Sequence, residues 1–149
     1  MNHQFGVLLL ASASLFALNV IAAEPEFFPR PAEAGKTYPF SEAVRVGDML
    51  YLAGEVGVGA DGKLAPGGIK AETKQVMDNI GANLARHHSG FDKVVQCTVA
   101  LADIKEWADF NEVYKGYFSK HFPARMAYGA NGLALGARVE VQCNAVVGK

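Results

Sequence analysis

The pattern of apolar and polar residues after residue 40 predicts strands and helices in alternation. Alternating or continuous apolar runs predict strands at 41–46, 49–54, 55–58, 94–101 and 139–147, with another extended segment around 127–130. Apolar residues at helical spacing predict one helix from about Ile69 to His88 and a second from Asp103 to about His121. The resulting order, β-β-β-α-β-α-β-β, is typical of an α+β domain in which two helices pack on one face of a sheet.

Aromatic residues recur along one face of the second predicted helix. They are Trp107, Phe110, Tyr114 and Tyr117. An aromatic stripe at this spacing is more typical of a buried helix face than of a cofactor site, so we expect it to pack in the core.

The first 23 residues have a different composition from the rest of the chain. They contain no Lys, Arg, Asp or Glu, and an apolar run over 5–18 is followed by small residues up to Ala23. This arrangement is typical of a secretory signal peptide, and the apolar run is too short to span a bilayer comfortably. We therefore expect a signal peptide at 1–23 and a single mature domain at 24–149, exported to the periplasm or secreted. The alternative is that the segment is an apolar part of the folded core.

Composition limits the possible partners. The chain has 149 residues, half of them hydrophobic, and a formal net charge of −1. That length suits one domain with a buried core. Because the charge is nearly balanced and no basic run occurs, we expect no nucleic-acid partner and, after signal removal, no membrane partner. The prolines within 24–38 predict an extended lead-in to the first strand.

The cysteines are candidates for a disulfide, and the histidines are candidates for metal binding. Cys97 and Cys143 fall within predicted strands. In an oxidising compartment they could form a disulfide, and buried free thiols are an equally ordinary outcome, so both possibilities stay open. The histidines lack the spacing of metal ligands, and we expect neither a metal nor another cofactor. His87 and His88 are expected to be exposed residues at the end of the first helix.

Arg125 and Glu140 are the strongest candidates for chemistry. Arg125 follows Pro123, which restricts the backbone nearby, and a guanidinium on stiff backbone is suited to clamp a carboxylate with two hydrogen bonds. Glu140 interrupts an apolar strand as the centre of a Val-Glu-Val run. Taken separately, each fits an exposed surface position better than a site, because charged residues are mostly exposed. Their spacing is more informative than either residue alone.

The Phe-Pro-Ala-Arg sequence at 122–125, with Glu140 fifteen residues after the arginine, resembles the RidA/YjgF family of imine/enamine deaminases. Residues 39–57 are similar to the amino-terminal signature of that family, and 111–118 to its second helix. The resemblance covers nearly everything after residue 36. It implies the chorismate-mutase-like fold, with two helices on one face of a six-stranded sheet. It also implies a homotrimer with active sites in the clefts between subunits.

The resemblance further implies that the protein hydrolyses 2-imino acids, with their enamine tautomers, to 2-oxo acids and ammonia. Arg125 would hold the substrate carboxylate, and Glu140 would position or deprotonate the attacking water. Because such substrates are intrinsically labile, positioning and one general base could suffice. The substrate-binding positions carried over from the family are Arg125, Phe40, Ser41, Gly54 and Asn111.

Four positions depart from the usual family pattern. Phe40 stands where Tyr is common, Met126 where Ser follows the arginine, Ala134 where Pro is frequent, and Gln142 where a second Glu often occurs. These changes alter polarity around a retained arginine and glutamate, which indicates a changed substrate preference. One alternative is a non-catalytic trimer that binds small carboxylates or shields client proteins. A ribonuclease is less favoured, because the chain lacks a basic and aromatic patch.

Overall fold

The apolar runs form strands and the two amphipathic segments form helices, as the pattern predicts. The computed structural model describes residues 22–31 and 37–147, so most of the expected signal peptide lies outside the described residues. The strands are β1 (Glu26–Pro29), β2 (Ser41–Val46), β3 (Met49–Leu52), β4 (Glu55–Val56), β5 (Val94–Leu101), β6 (Ala124–Gly129) and β7 (Val139–Val146). The helices are α1 (Ile69–Arg86) and α2 (Trp107–Tyr114). The predicted α+β class is confirmed.

The described strands belong to one mixed sheet. Its hydrogen-bonded order is β1-β2-β3-β7-β5-β6, and the short β4 also pairs with β7. β5 and β6 run parallel, which requires a crossover, and α2 lies in that crossover. α1 packs against β4, β7 and α2. The helices therefore cover one face of the sheet and enclose the core with it, while the other face of β7, β5 and β6 is left uncovered.

The sheet has seven strands rather than the six expected. The additional strand is β1, within the segment 24–38 that the prolines predict to be only an extended lead-in. Phe27 pairs with Val44 and Phe28 with Ala43. Because β1 is an edge strand and Pro29 is its last residue, the proline is tolerated there. Conversely, the strand expected at 55–58 is reduced to the two residues of β4.

The second helix is shorter than the pattern predicts. α2 ends at Tyr114, and the following residues, Lys115–Tyr117, form a tighter 3-10 turn around a glycine. Phe110 and Tyr114 are buried, as the aromatic stripe predicts. The prediction is wrong for Trp107, which begins α2 at the edge of the core and is 48% exposed.

His87 and His88 differ, although both were expected to be exposed. His88 is exposed and has a positive φ of 59° just after α1. The side chain of His87 is only 9% exposed: Nε2 lies 3.0 Å from Oε1 of Glu42, and the ring packs on Phe28 with centroids 4.5 Å apart. The reason is that Glu42 is itself buried and needs hydrogen-bond donors, which His87 and Arg86 supply.

Cys97 of β5 and Cys143 of β7 form a disulfide. The two residues are directly paired across the strands, with Cα atoms 4.1 Å apart, and both are buried in the core. Of the two outcomes that the sequence leaves open, the structure therefore has the disulfide. It joins two neighbouring strands in the middle of the sheet covalently.

Candidate functional site

Glu140 lies on the face of the sheet that the helices leave uncovered. Along β7 the alternate residues from Val139 to Ala145 are buried, and those between them, including Glu140, are partly exposed. Because side chains alternate along a strand, Glu140 points away from the core. Its carboxylate lies against Gly54, where an added Cβ would collide with it. A side chain at position 54 would therefore displace the Glu140 carboxylate from this position.

Phe40 and Ser41 lie close to Gly54. The backbone N–H of Ala53 donates a 2.9 Å hydrogen bond to the carbonyl oxygen of Glu42, the residue after Ser41. This bond holds the start of β2 alongside the end of β3. Phe40 is 46% exposed, so much of the residue is accessible to solvent. We call Phe40, Ser41, Gly54 and Glu140 the carboxylate half-site.

Arg125 belongs to a second cluster, on the helix side of the sheet. β6 begins at Ala124, earlier than predicted, so Arg125 is a strand residue. Its Nη1 donates a 2.7 Å hydrogen bond to Oδ1 of Asn111 in α2. The guanidinium carbon lies 4.8 Å from the ring centroid of Tyr114 and 5.7 Å from that of Phe110, which is cation–π distance. We call Arg125, Asn111 and Tyr114 the arginine half-site.

The hydroxyl of Tyr114 is buried and finds no hydrogen-bond partner among the described residues. Burial raises the pKa of Tyr114 to about 12, although the charge of Arg125 acts in the opposite direction. The tyrosine therefore stays neutral at physiological pH, and its contribution to Arg125 is the face of its ring.

The two half-sites of one chain lie on opposite faces of the sheet. Arg125 pairs with Cys97, and Cys97 pairs with Cys143; directly paired residues point to the same side. Glu140 is three residues from Cys143 on β7 and therefore points to the other side. Arg125 and Glu140 lie on strands that are two positions apart in the sheet, and they are offset by three residues along the strand direction. These spacings place their backbones about 14 Å apart. Both half-sites can serve one small ligand only if they come from two copies of the chain.

The ion pair of Arg30 and Glu55 does not follow from the sequence pattern. Glu55 of β4 is 4% exposed; its Oε1 accepts hydrogen bonds from Arg30 Nη1 and Asn83 Nδ2, both at 2.9 Å, and its Oε2 accepts one from Arg30 Nη2 at 3.2 Å. Burial lowers the pKa of the Arg30 guanidinium, but the bonds to Glu55 outweigh that effect and leave the pKa raised. The available signal was a glutamate inside an apolar run, which needs a partner when it is buried.

Two of the positions that depart from the family pattern face the uncovered side of the sheet. Nε2 of Gln142 donates a 3.1 Å hydrogen bond to the carbonyl oxygen of Leu52, a bond that an ionised glutamate could not donate. Met126 follows Arg125 on β6, points to the opposite side from it, and is 56% exposed. The departures therefore alter the surface around Glu140 more than the surroundings of Arg125.

Within residues 22–31 and 37–147, no group of three or more His, Cys, Asp or Glu side chains is placed to hold a metal ion. No helix in the same ranges has the length and apolar character needed to cross a membrane.

A family model, a curated relative and solved structures all match this chain over most of its length. The family model described as Endoribonuclease L-PSP matches residues 31–147. The 2-iminobutanoate/2-iminopropanoate deaminase of Bos taurus is 44% identical over 119 residues, which is 79% of this chain and 85% of that protein. The crystal structure of the yeast protein YEO7 is 34% identical with a TM-score of 0.76, over 84% of this chain and 100% of that one. RidA from the Antarctic bacterium Psychrobacter sp. PAMC 21119 is 32% identical with a TM-score of 0.71, over 80% and 94%.

Proposed function

The chain belongs to the RidA/YjgF family, and on this basis we propose that it hydrolyses reactive 2-imino acids, with their enamine tautomers, to 2-oxo acids and ammonia. The bovine relative is named as a deaminase of 2-iminobutanoate and 2-iminopropanoate, and its 44% identity extends over most of both chains. The observation that carries the proposal is the pair of half-sites. One presents a guanidinium held by Asn111, and the other presents the carboxylate of Glu140 beside Gly54.

The proposed active site forms between two subunits of a homotrimer. Its support is that the half-sites of one chain lie on opposite faces of the sheet. The uncovered face also carries exposed apolar side chains, among them Tyr51, Met126 and Tyr128, which favour association with other copies. Light scattering at micromolar concentration should give the mass of three chains. A monomeric mass would contradict the shared site.

In the proposed reaction, Arg125 binds the substrate carboxylate with two parallel hydrogen bonds. This leaves the C=N group beside Glu140 of the adjoining subunit. Glu140 accepts a proton from water as the water oxygen bonds to the imine carbon, and the nitrogen takes up a proton from bulk water. The proton held by Glu140 then passes to the nitrogen. The C–N bond breaks and ammonia leaves as the hydroxyl group gives its proton to Glu140 and the C=O bond forms, and Glu140 finally releases this proton to bulk water. Water supplies the oxygen atom, and no oxidant or reductant is needed.

The remaining half-site residues have supporting roles in this proposal. Asn111 fixes the direction of the Arg125 guanidinium, and Gly54 leaves room for the Glu140 carboxylate. Phe40 presents an apolar ring to the side chain of the substrate, and Ser41 contributes polar atoms next to it. Positioning of this kind is worth much for a labile substrate, because hydrolysis needs only water held in the right place.

The activity test uses the protein without residues 1–23 and 2-iminobutanoate formed in the assay from the amino acid by an amino acid oxidase. We expect 2-oxobutanoate and ammonia to form faster than by spontaneous hydrolysis. The 2-imino acids of several other amino acids should be compared, because the substrate side chain follows from the pocket around Phe40. Rates equal to the uncatalysed rate for every imine would contradict the proposal.

A second candidate is a trimer that binds small carboxylates without turning them over. The observation that favours it is Phe40, which lacks the hydroxyl common at this position in the family. In that case, 2-oxobutanoate should bind to the protein while no imine is hydrolysed faster than without it. The variant Phe40→Tyr distinguishes a deaminase from a non-catalytic binding protein. It should raise turnover of 2-iminobutanoate if Phe40 only alters substrate specificity.

We propose that the mature protein is exported, to the periplasm or the medium. The support is the uncharged apolar run followed by small residues in 1–23. A disulfide between Cys97 and Cys143 is compatible with an oxidising compartment. Mass spectrometry of the protein from its native host should find that about the first 22 or 23 residues are removed. An intact Met1–Ala23 segment would contradict export by this route.

A further inference from the structure

Arg30 connects Phe40 to Glu55, two residues that are distant in the sequence. Glu55 points to the helix side of the sheet, because it pairs with the buried Val141. Nη1 and Nη2 of Arg30 are bonded to Glu55. The same guanidinium lies 5.9 Å from the ring centroid of Phe40 and 5.3 Å from that of Tyr38. The two rings are themselves 5.5 Å apart. These distances lie within the ranges of cation–π contacts and aromatic pairs.

The contact explains how a half-exposed aromatic ring is held in one place. A guanidinium bound by two hydrogen bonds to a buried carboxylate has little freedom, so it can support the ring of Phe40 from one side. Asn83 of α1 donates a further 2.9 Å hydrogen bond to Glu55. The support for Phe40 is therefore tied to the packed core through Arg30, Glu55 and Asn83.

We propose that Arg30 is a positioning residue that holds Phe40 as a wall of the substrate pocket, without touching the reacting atoms itself. The inference rests on the proposed function of the two half-sites. If Phe40 contacts the substrate side chain while Arg125 and Glu140 act on the carboxylate and the imine, loss of Arg30 should raise KM and leave kcat nearly unchanged.

A purely structural role for Arg30 would be to neutralise Glu55. Arg30→Met alone cannot separate the two roles, because it leaves a buried carboxylate without its cation and destabilises the fold. Arg30→Met combined with Glu55→Gln removes both charges, and the amide oxygen can still accept the hydrogen bond from Asn83. The double variant should therefore restore stability without restoring the support for Phe40.

The experiment measures the melting temperature, the release of ammonia from 2-iminobutanoate, and the affinity for 2-oxobutanoate by calorimetry. Arg30→Met should lower the melting temperature by about 10 °C or more, and the double variant should recover most of this loss. The double variant should still raise KM and weaken product affinity about three- to tenfold, the worth of a cation–π contact, with kcat within about twofold. Arg30→Lys keeps the charge without the planar fork and should fall between wild type and the double variant in KM.

The control removes an ion pair that does not belong to the network of Arg30, Glu55 and Asn83. Nζ of Lys120 lies 3.3 Å from Oδ2 of Asp92, and Lys120 makes no cation–π contact among the described residues. Lys120→Met combined with Asp92→Asn removes both charges of this pair. This control should leave KM and product affinity within about twofold of wild type.

The outcomes separate this inference from the proposed function. If the Arg30 and Glu55 double variant matches wild type in KM and product affinity, Arg30 only neutralises Glu55 and the positioning role is wrong. If wild type releases no ammonia but binds 2-oxobutanoate, and the double variant binds it more weakly, the proposed activity is wrong and the positioning role stands. If wild type neither turns over the imine nor binds the 2-oxo acid, both are wrong.

Discussion

The two half-sites hold their charged groups by different means. Arg125 is held by a single neighbouring element, because Asn111 and Tyr114 both belong to α2. Glu140 instead lies against Gly54, which precedes β4, and Phe40 of the same half-site contacts Arg30 near the start of the domain. The arginine half-site is thus built from one strand and one helix. The carboxylate half-site is assembled from segments that are far apart in the chain.

This difference predicts different sensitivity to substitution. Changes at a distance should disturb the carboxylate half-site more, because Phe40 contacts an arginine that is bonded to the buried Glu55. Loss of that arginine leaves the buried carboxylate without its cation. The arginine half-site should respond mainly to changes in its own residues. Its cation is partly exposed and shares only one hydrogen bond with Asn111.

The largest effect is expected at Glu140. Glu140→Gln keeps the shape and the hydrogen bonding of the side chain beside Gly54 but cannot accept a proton. We expect kcat to fall roughly 10²–10⁴-fold, the usual worth of a positioned general base. The affinity for 2-oxobutanoate, measured by calorimetry, should be nearly unchanged. Full turnover in this variant would show that Glu140 does not activate water and is a structural strand residue.

The next effect concerns the disulfide in the part of the sheet between the two half-sites. The disulfide joins Cys97 of β5 to Cys143 of β7. Cys97 is also paired with Arg125 of β6, and β7 carries Glu140. It closes a loop of 46 residues, for which chain entropy gives a stabilisation of about 4 kcal/mol at most. Adding a reductant should therefore lower the free energy of unfolding by about 2–4 kcal/mol. The control is Cys97→Ala with Cys143→Ala, in which the reductant should have no effect.

Arg125→Ala should act on binding rather than on the proton transfer. Loss of a charged hydrogen-bonded contact should weaken the affinity for 2-oxobutanoate by about 1.5–3 kcal/mol. The oligomeric mass should stay unchanged, because Arg125 contacts side chains of its own chain. Arg125→Lys should recover little of the affinity, since a point charge cannot reproduce the planar fork. Near-wild-type affinity in Arg125→Ala would place the substrate carboxylate elsewhere.

The two half-sites also differ in how far the sequence predicts them. Arg125 and Asn111 lie in short motifs that resemble the family, and periodicity predicts the helix that carries Asn111. Periodicity did not place Arg125 in a strand, because the extended segment was expected only around 127–130, whereas β6 begins at Ala124. Glu140 was predictable as a charged residue in an apolar strand, but its contact with Gly54 depends on pairing between distant segments. Arg30 lies in a proline-rich segment without periodicity, and nothing local links it to Glu55. Such ion pairs follow from the tertiary fold, which periodicity does not specify.

The smallest effect is expected at Tyr114, and it tests whether the arginine half-site uses the hydroxyl of this residue as well as its ring. Tyr114→Phe keeps the ring under the guanidinium and removes a buried hydroxyl without a partner in the described residues. At neutral pH we expect stability equal to wild type or higher by up to about 1 kcal/mol, with product affinity unchanged within about twofold.

The pH dependence of the same variant supplies the sharper measurement. Because the pKa of Tyr114 is raised from the ordinary 10.0 to about 12, the folded state holds this proton more tightly than the unfolded state does. That contribution is complete below pH 10 and is lost as the pH rises from 10 to 12. Chemical denaturation across this window should therefore show wild type losing stability more steeply than Tyr114→Phe, with the other tyrosines contributing equally to both proteins. Parallel curves would show that the hydroxyl is hydrated or hydrogen-bonded in solution, and the arginine half-site would then include a polar group beside Asn111.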